Sequence, residues 1–236
     1  MFSSDTTRRF RNKIKILVKK ILGRGYYPRI EYKCKTVFLG SDYGGWEVAT
    51  GFIHRSSIVY SLGVGEDVSF DLGLIEAYGL DVYAFDPTPK SFEWVSKQKF
   101  PLNFKFSSFG VADFDGNASF LPPDNPAFVS YKISTDDERG IEVTTLPVKR
   151  LATLMKERGH AQIDLLKMDI EGAEYSVIDD MKKSGIYPKQ ILVEFHHRWF
   201  QIGVDKTKRA IRILNEMGYK LFYTSARDEF GFLLIS

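Results

Sequence analysis

The chain has 236 residues, a length that fits one large domain or one domain with a small extension and that can bury a sizeable core. Its 44% hydrophobic and 27% charged residues are the composition of an ordinary soluble globule. Its single cysteine, Cys34, excludes an internal disulfide and favours a reducing, cytoplasmic setting; no run reaches the length of a membrane span, and no signal-peptide pattern opens the chain.

The net charge of +3 is unevenly distributed along the chain. Residues 1–24 contain eight basic residues and one acid, a balance of +7, so the other 212 residues carry 25 basic and 29 acidic groups, or −4. The apolar residues of this first segment fall on one helical face and the basic residues on the remainder, which predicts a basic amphipathic helix that Gly23 and Gly25 end. The apolar face consists of Phe10, Ile14, Leu17, Val18, Ile21 and Leu22.

This predicted helical extension covers residues 1–25, and the folded domain covers residues 26–236. The helix either makes peripheral contact with an anionic membrane through residues 8–24, at the inner face of the membrane, or packs its apolar stripe on the domain or on a second subunit. Nucleic acid is not expected as a partner, because the mildly acidic body has no basic patch interleaved with aromatic residues. The sequence predicts no particular oligomeric state.

After Gly25, short apolar runs alternate with helical stretches, the pattern of a largely parallel sheet that helices cover on both faces. An excursion rich in turn residues, from Asp113 to about Thr145, predicts a hairpin or flap. Asp205 is the predicted N-cap of the last helix, and Gly218 its end. Strands are expected at 59–62, 81–86, 104–106, 163–168, 190–195, 219–224 and 231–235, and helices at 68–78, 91–97, 148–158, 173–182 and 206–217.

The stretch from Gly63 to Asp67, Gly-Val-Gly-Glu-Asp, follows the first of these strands, and Asp86 ends the second. A Gly-x-Gly turn between a strand and a helix lets the backbone approach a nucleotide, and an acid about 20 residues later can accept hydrogen bonds from ribose hydroxyls. Acids at the turn would oppose a pyrophosphate but suit the ammonium group of S-adenosylmethionine. Val68 replaces the third glycine of a dinucleotide fingerprint, so a nicotinamide-dependent enzyme is the less favoured interpretation. The turn could also be an ordinary tight turn.

Polar groups also follow two later strands, and we expect all of these strand ends to converge on one crevice. Asp169 and Glu171 are crowded, and crowded acids raise one another's pKa unless a cation joins them. That cation could be the ammonium of the methyl donor, a divalent metal or Lys167. Alternatively, the two acids cap the following helix.

His196 ends a strand that faces the expected crevice, and a histidine can take a proton from a hydroxyl near neutral pH, with Glu194 to orient it. The side chain of His197 should point the other way. A metal held by Asp169, Glu171 and Glu194 is the alternative to this base, but no spacing demands one, so no metal site is predicted.

Together these segments resemble the FkbM family of S-adenosylmethionine-dependent methyltransferases, over roughly Val59 to Phe195. The resemblance rests on Tyr60 to Asp67, Phe85 to Pro89, Leu166 to Glu174 and Glu194 to His196. It implies an α/β class I methyltransferase fold, which is Rossmann-like, with a seven-stranded, mostly parallel sheet whose last strand is antiparallel. It also implies O-methylation of a hydroxyl of a sugar, glycan or related natural product.

The resemblance further implies which residues hold S-adenosylmethionine. Gly63, Gly65 and Glu66 would hold the methionine end, Asp86 the ribose, and Asp169 the donor or its neighbourhood. Asp113 belongs to a segment, Gly110 to Asp113, that passes near adenine. The stretch from Asp42 to Trp46 either folds over the donor or is an aromatic anchor. A catalytically silent donor-binding module is the remaining alternative.

Overall fold

The computed structural model describes residues 2–22, 25–121, 132–133, 143–199 and 202–235. Met1, Gly23 and Arg24 of the predicted extension, and the turn-rich stretches at 122–126 and 135–140 of the predicted flap, lie outside these residues. The chain begins with helix α1 (Phe2–Ile21), followed by an antiparallel hairpin of β1 (Thr36–Leu39) and β2 (Trp46–Ala49) that ends in a 3₁₀ turn, Thr50–Phe52.

Alternating strands and helices follow this hairpin. The first group is β3 (Ile58–Leu62), α2 (Ser69–Tyr78), β4 (Asp81–Phe85), α3 (Pro89–Ser96) and β5 (Phe104–Ser107). A group of strands then comprises β6 (Gly110–Val111), β7 (Gly116–Leu121), β8 (Lys132–Ile133) and β9 (Thr144–Lys149). The last group is α4 (Leu151–Arg158), β10 (Leu165–Met168), α5 (Glu174–Ser184), β11 (Gln190–Glu194), α6 (Gly203–Glu216), β12 (Tyr219–Thr224) and β13 (Glu229–Leu234).

Within the described residues, seven strands form the central sheet in the order β5, β4, β3, β10, β11, β13, β12. The five strands from β5 to β11 are parallel, whereas β13 runs antiparallel to its neighbours β11 and β12. This topology confirms the predicted fold class, an α/β Rossmann-like class I methyltransferase fold with an antiparallel last strand. The order reverses at β3, and ligands of such sheets bind beyond the carboxyl ends of the strands at that point.

Successive side chains of a strand point in opposite directions, so the central strands place apolar residues on both faces of the sheet, where helices or the hairpin cover them. In β10, Leu166 joins the core cluster that α4, α5 and α6 cover, whereas Leu165 joins the cluster beneath α2 and the β1–β2 hairpin. Each of these leucines is fully buried. The continuous apolar runs of the sequence therefore became central strands between two layers, as the pattern predicted.

Two helix boundaries differ from the prediction. Val148 was predicted to begin a helix, but it is a buried residue of β9 that pairs with Gly110 and Gly116 in neighbouring strands, so α4 begins only at Leu151. Asp205 was predicted to cap α6, but it lies inside the helix, which begins at Gly203, and its carboxylate pairs with Lys208 at 2.9 Å. Local propensity missed the first of these boundaries because strand pairing is a tertiary property.

The predicted hairpin or flap is part of a small sheet. Among the described residues, its strands lie in the order β6, β9, β7, β8, with β7 and β9 antiparallel as in a hairpin and β6 parallel to β9. Ala118, Phe120, Leu146 and Val148 form its own apolar cluster. The β1–β2 hairpin had not been predicted at all.

Helix α1 lies against the β1–β2 hairpin through its polar side. The guanidinium groups of Arg8 and Arg9 pair with the buried carboxylate of Glu47 at 2.8 and 2.7 Å. The apolar stripe is exposed, so the hypothesis that it packs on the domain is wrong. No helix in the described ranges has the length and hydropathy of a membrane-spanning segment.

Candidate active site

A cleft of about 710 Å³ opens beyond the carboxyl ends of β3, β4, β10 and β11. The predicted convergence of strand ends is confirmed, because side chains from all four of these positions line the same cleft. The predicted site residues in the lining are Gly63, Gly65, Glu66, Asp86, Asp169, Glu171, Glu194 and His196. Their positions are thereby established, whereas their individual roles stay predictions.

Gly63 occupies the closest approach between the two turns that form the floor of the cleft. Its φ is +81°, and a Cβ atom there would lie 1.7 Å from the carbonyl oxygen of Asp169. Any side chain would therefore force β3 and β10 apart. The glycine identified from the sequence is required by packing as well as by access to a ligand.

The carboxylate of Asp86 holds the glycine turn. Oδ2 accepts hydrogen bonds from the backbone N–H groups of Val64 (2.9 Å) and Gly65 (3.0 Å), and Oδ1 accepts from the N–H and hydroxyl of Thr88. A carboxylate has about four acceptor sites, so these bonds occupy its usual capacity. That Asp86 binds ribose stays a prediction, with the added requirement that one of these bonds is exchanged.

Asp67 joins the glycine turn to the loop between β1 and β2. Its carboxylate accepts hydrogen bonds of 2.7 Å from the Ser69 backbone and the Ser41 hydroxyl. Burial alone would raise the pKa of Asp67, but these bonds outweigh burial and lower it. A Cβ at Gly44 would lie 2.7 Å from the Asp67 Cγ atom, so this glycine lets the loop sit directly against the turn.

The loop between β1 and β2 was predicted either to fold over the donor or to be an aromatic anchor, and it has one residue suited to each interpretation. Trp46 is buried and packs beside Phe70, with ring centroids 6.5 Å apart, as an aromatic anchor does. Tyr43 is 80% exposed and lines the mouth of the cleft together with Gly44. The buried tryptophan fixes the loop, and the exposed tyrosine faces whatever enters the cleft.

The turn after β10 has a different arrangement of acids. Glu171 and Gly172 adopt left-handed backbone conformations, with φ values of +54° and +100°, and α5 then begins after Ala173. Glu174 is fully buried, and its carboxylate accepts hydrogen bonds from the N–H groups of Ile170 and Gly172, each 3.0 Å long. Glu174 thus stabilises the turn, the role that the alternative interpretation had given to Asp169 and Glu171.

His196 lies among three of these carboxylates. Nε2 is 3.2 Å from Glu171 and 3.8 Å from Asp169, and Nδ1 is 3.0 Å from Glu174. Burial pulls the pKa of His196 down, but the carboxylates of Glu174 and Glu171 outweigh burial and raise it to about 11. A pKa of about 11 favours the protonated form of His196 at neutral pH. That His196 is the general base stays a prediction, which this shift of its pKa disfavours.

His197 points away from the cleft, as its place in the strand predicted. It is 3% exposed, and its Nε2 lies 3.8 Å from the buried carboxylate of Asp228. Burial lowers the pKa of His197. The two adjacent histidines therefore have opposite surroundings and opposite pKa shifts.

Two acids opposite His196 have raised pKa values. Burial, and next the charge of Asp169, raise the pKa of Glu194 to about 8. Burial likewise raises the pKa of Asp169, and the nearby charge of Lys167 counteracts this. The Lys167 ammonium donates hydrogen bonds to the carbonyl groups of Leu62 and Gly63 beneath the glycine turn. Of the three cations considered for this site, Lys167 is therefore in place.

A divalent cation also has suitable ligands here. Asp169, Glu171 and His196 bring one ligand atom each within 4.8 Å of one another. A histidine whose other nitrogen contacts a carboxylate, as Nδ1 of His196 contacts Glu174, is common in metal sites. The metal alternative from the sequence had named Glu194 in place of His196.

Asp113 lies outside the cleft, in contrast to the prediction. Strand β6 ends at Val111, and the chain then turns outward toward β7, so Asp113 is exposed. Gly110 and Val111 of the same segment line the cleft instead. The neighbouring Asp115 binds the backbone N–H of Arg150 and the hydroxyl of Thr153 at the start of α4.

Two charged residues of the cleft lie between the last two predicted strands, 219–224 and 231–235. Glu229 begins β13 directly opposite Glu194 of β11, and its carboxylate pairs with Arg227 at 2.9 Å. Arg227 also donates hydrogen bonds to the carbonyl groups of Asp42 and Tyr43. The predicted antiparallel direction of the last strand could have placed these two residues in the cleft, because the start of that strand meets the carboxyl ends of its neighbours.

Comparison with known proteins relates this cleft to methyltransferases. Residues 63–221 match the methyltransferase FkbM domain family. Two relatives named "Probable methyltransferase-like protein 24" match over 177 residues, the rat protein at 23% identity and the human protein at 26%. Each match covers 70% of this chain and 42% of the relative, so the chain spans less than half the length of these curated relatives.

Solved structures include proteins of similar description. The crystal structure of the methyltransferase FkbM from Methylobacillus flagellatus superposes with a TM-score of 0.49 at 13% identity, covering 78% of this chain and 46% of that chain. The Methanococcus jannaschii fibrillarin pre-rRNA processing protein superposes with a TM-score of 0.42 at 13% identity, covering 77% of this chain and 67% of that protein.

Proposed function

The chain belongs to the methyltransferase FkbM domain family, and from this premise we propose that it transfers a methyl group from S-adenosylmethionine to a hydroxyl of a sugar, a glycan or a related natural product. The observation that carries the proposal is the surplus of acids in the cleft. Among the described lining residues, seven are acidic and three are lysine or arginine. The acids are Glu66, Asp67, Asp86, Asp169, Glu171, Glu194 and Glu229, and the basic residues are Lys167, Arg198 and Arg227. A diphosphate would be repelled here, whereas a cationic donor would be attracted.

The chemistry of the donor defines what the protein must do. S-adenosylmethionine supplies a methyl group that its sulfonium already activates, so alignment of the acceptor oxygen is the main catalytic task. Gly63 and Gly65 leave the backbone of the turn open to a ligand, and Glu66 and Asp169 supply negative charge for the donor's ammonium. Asp86 keeps the turn in shape through its four hydrogen bonds.

Glu194 is our candidate for the group that takes up the acceptor's proton. Its carboxyl group ends β11 inside the cleft, and its pKa of about 8 lies near the working pH of a general base. His196 acts beside it as a fixed cation, because each ring nitrogen lies against a carboxylate, Nε2 against Glu171 and Nδ1 against Glu174. In this arrangement the histidine offsets the charge of the acids while the glutamate exchanges a proton.

The acceptor class is supported by the mouth of the cleft. Tyr43 and Trp199 line it together with Arg198 and Arg227. Aromatic rings offer flat apolar surfaces, and sugar rings have apolar C–H faces that pack on such surfaces. Arginines donate several hydrogen bonds to oxygen atoms. This combination of aromatic surface and hydrogen-bond donors fits an acceptor rich in hydroxyl groups.

Calorimetric titration tests the donor. We expect S-adenosylmethionine and S-adenosylhomocysteine to bind and NADH to give no signal. Binding of NADH alone would overturn the proposal in favour of a nicotinamide-dependent enzyme.

A labelled-methyl assay with a panel of glycans and small hydroxylated acceptors tests the transfer. Glu194→Gln should keep donor binding and lower transfer by about 10²-fold or more, the usual contribution of a general base. Glu216→Gln, on the exposed side of α6, is the matched control and should leave transfer unchanged. Donor binding without transfer to any acceptor would favour the silent binding module.

Metal-assisted transfer is a second candidate, because Asp169, Glu171 and His196 have their ligand atoms within 4.8 Å of one another. In that case a chelator should abolish transfer, and added Mg²⁺ or Mn²⁺ should restore it. Transfer that is insensitive to chelation would leave Glu194 as the base.

A further inference from the structure

The apolar stripe of α1 faces solvent. Its side chains are Phe10, Ile14, Leu17, Val18, Ile21 and Leu22, which are between 46% and 75% exposed. Such a row of large apolar residues is costly to leave in water, so a continuous stripe of this kind marks an interaction surface. Among the other residues that the structure describes, single exposed apolar side chains such as Leu102 form no comparable row.

The opposite side of α1 is fixed to the domain by polar contacts. Arg8 and Arg9 pair with Glu47, and the Arg8 guanidinium lies 3.5 Å from the centre of the Phe38 ring. Asn12 accepts a hydrogen bond from the Ala226 backbone at 2.8 Å. These contacts orient the helix with its stripe outward.

Basic residues border the stripe along each edge. At 100° per residue, Arg11 and Lys15 fall on one edge and Lys13 and Lys20 on the other, and all four are exposed. Residues 6–22 contain no acid. An apolar stripe between two basic edges is the arrangement of helices that lie in the headgroup region of anionic membranes.

Charge also argues against a second copy of the chain as the occupant of this stripe. Two such helices placed stripe to stripe would bring the basic edges of one copy against those of the other, and like charges at such positions oppose pairing. An anionic lipid surface complements the same charges. Residues 25–236 carry a net charge of −4, so α1 is the part that such a surface attracts.

We propose that α1 is a membrane-docking helix that lies flat on an anionic lipid surface, with its apolar stripe in the interface and its basic edges among the headgroups. The helix contacts the segment that follows β12, because Asn12 and Lys19 bind Ala226, and the next residue, Arg227, lines the cleft. Docking would therefore bring the rim of the cleft close to the headgroups. The docking itself is independent of the proposed reaction.

Vesicle flotation with the full chain tests the proposal. We expect binding to vesicles of mixed phosphatidylglycerol and phosphatidylcholine, weak binding to phosphatidylcholine alone, and loss of binding as salt is raised. Leu17→Glu should weaken binding at least tenfold, because the bilayer interface would lose a leucine side chain to bury and a negative charge would face the anionic lipids. Leu102→Glu is the matched control, since Leu102 is 95% exposed and lies far along the chain, before β5; it should bind as the wild type.

The charge contribution is tested separately. Lys13→Gln combined with Lys20→Gln should weaken binding about 25-fold, roughly fivefold for each lysine. The pair Lys206→Gln and Lys220→Gln, also exposed, should change it little.

Equal binding of the Leu17→Glu and Leu102→Glu proteins would overturn the proposal. So would a concentration-dependent dimer in ultracentrifugation that Leu17→Glu dissolves, because the stripe would then bind a second copy. Circular dichroism confirms that each variant is folded. Donor titration on the same variants keeps this test apart from that of the proposed reaction, since neither substitution touches the cleft.

Discussion

Two strand-to-helix turns form the floor of the cleft, and the carboxylates at the two turns have different surroundings. At the turn after β3, Asp67 and the Asp86 carboxylate, which reaches the turn from the end of β4, are surrounded by hydrogen-bond donors from the backbone and from serine and threonine hydroxyls. In the turn after β10, Asp169 and Glu171 face other acids and His196, and burial raises the pKa of Asp169. The donors around an acid, more than its place at a strand end, therefore separate a carboxylate that holds a turn from one whose pKa burial raises.

The largest effect is expected from a substitution that separates the two turns. Gly63→Ala would place a Cβ atom 1.7 Å from the Asp169 carbonyl, at a φ of +81°. We expect the free energy of unfolding to fall by about 3 kcal/mol or more, the upper range for overpacking. Gly185→Ala is the control, because its φ of +66° carries the same backbone strain in open space; it should cost about 1 kcal/mol. Equal losses in urea unfolding would show that the close approach is unimportant.

The second prediction tests the structural acid. Asp86→Asn would turn an amide NH₂ toward backbone N–H groups that now donate to a buried carboxylate. The expected loss is about 1–3 kcal/mol of unfolding free energy, the cost of unsatisfied buried donors. Asp205→Asn, with a side chain 94% exposed, should stay within about 0.5 kcal/mol of the wild type. A wild-type melting curve for Asp86→Asn would contradict the scaffold role.

The third prediction concerns Glu194, whose substitution should raise the free energy of unfolding where that of Asp86 lowers it. Glu194 has a folded pKa of about 8 against an ordinary value of 4.5, so between these pH values the folded chain binds the proton that the unfolded chain releases. The free energy of unfolding therefore falls as pH rises from 4.5 to 8. Glu194→Gln removes this dependence and should be more stable than the wild type at pH 8 by on the order of 2 kcal/mol, after a discount for solvent screening.

Denaturant titrations across this pH range measure the slope. Glu216→Gln is again the control, because its exposed carboxylate pairs with Lys182 and its pKa is lowered, so it cannot give a slope of this sign in this range. A wild-type slope unchanged in Glu194→Gln would refute the raised pKa.

The smallest expected effect lies at the rim of the cleft. Glu66→Gln should weaken binding of S-adenosylmethionine only two- to fivefold, because its carboxylate is 42% exposed and Lys90 lies 3.6 Å away. Asp113→Asn should not alter the dissociation constant, since the structure places this side chain outside the cleft. Calorimetry on both variants sharpens the comparison. A larger loss for Asp113→Asn would restore its predicted role at the adenine.

The candidate site was largely predictable because its residues follow strands, and strands are recognisable from short apolar runs. Once the sheet was expected to be parallel, the carboxyl ends of β3, β4, β10 and β11 had to meet, which placed Gly63, Asp86, Asp169 and Glu194 together. The raised pKa of His196 was not predictable, since it depends on Glu174, whose side chain reaches the imidazole only through the shape of the left-handed turn at Glu171. Glu229 was not predicted as a site residue because Glu194, which lies opposite it in the neighbouring strand, is 35 residues earlier in the chain.

The two amphipathic helices show where the sequence stops and the tertiary structure begins. By itself, the sequence determined the α/β order, the glycine turn and the periodicity of both α1 and α6, because each is a local pattern of side-chain size and polarity. Only the tertiary structure decided that α6 buries its stripe, including Ala210 and Leu214, whereas α1 turns its own stripe to solvent. Periodicity identifies an apolar face, but the contacts of the opposite face, such as Arg8 and Arg9 on Glu47, determine where that face points.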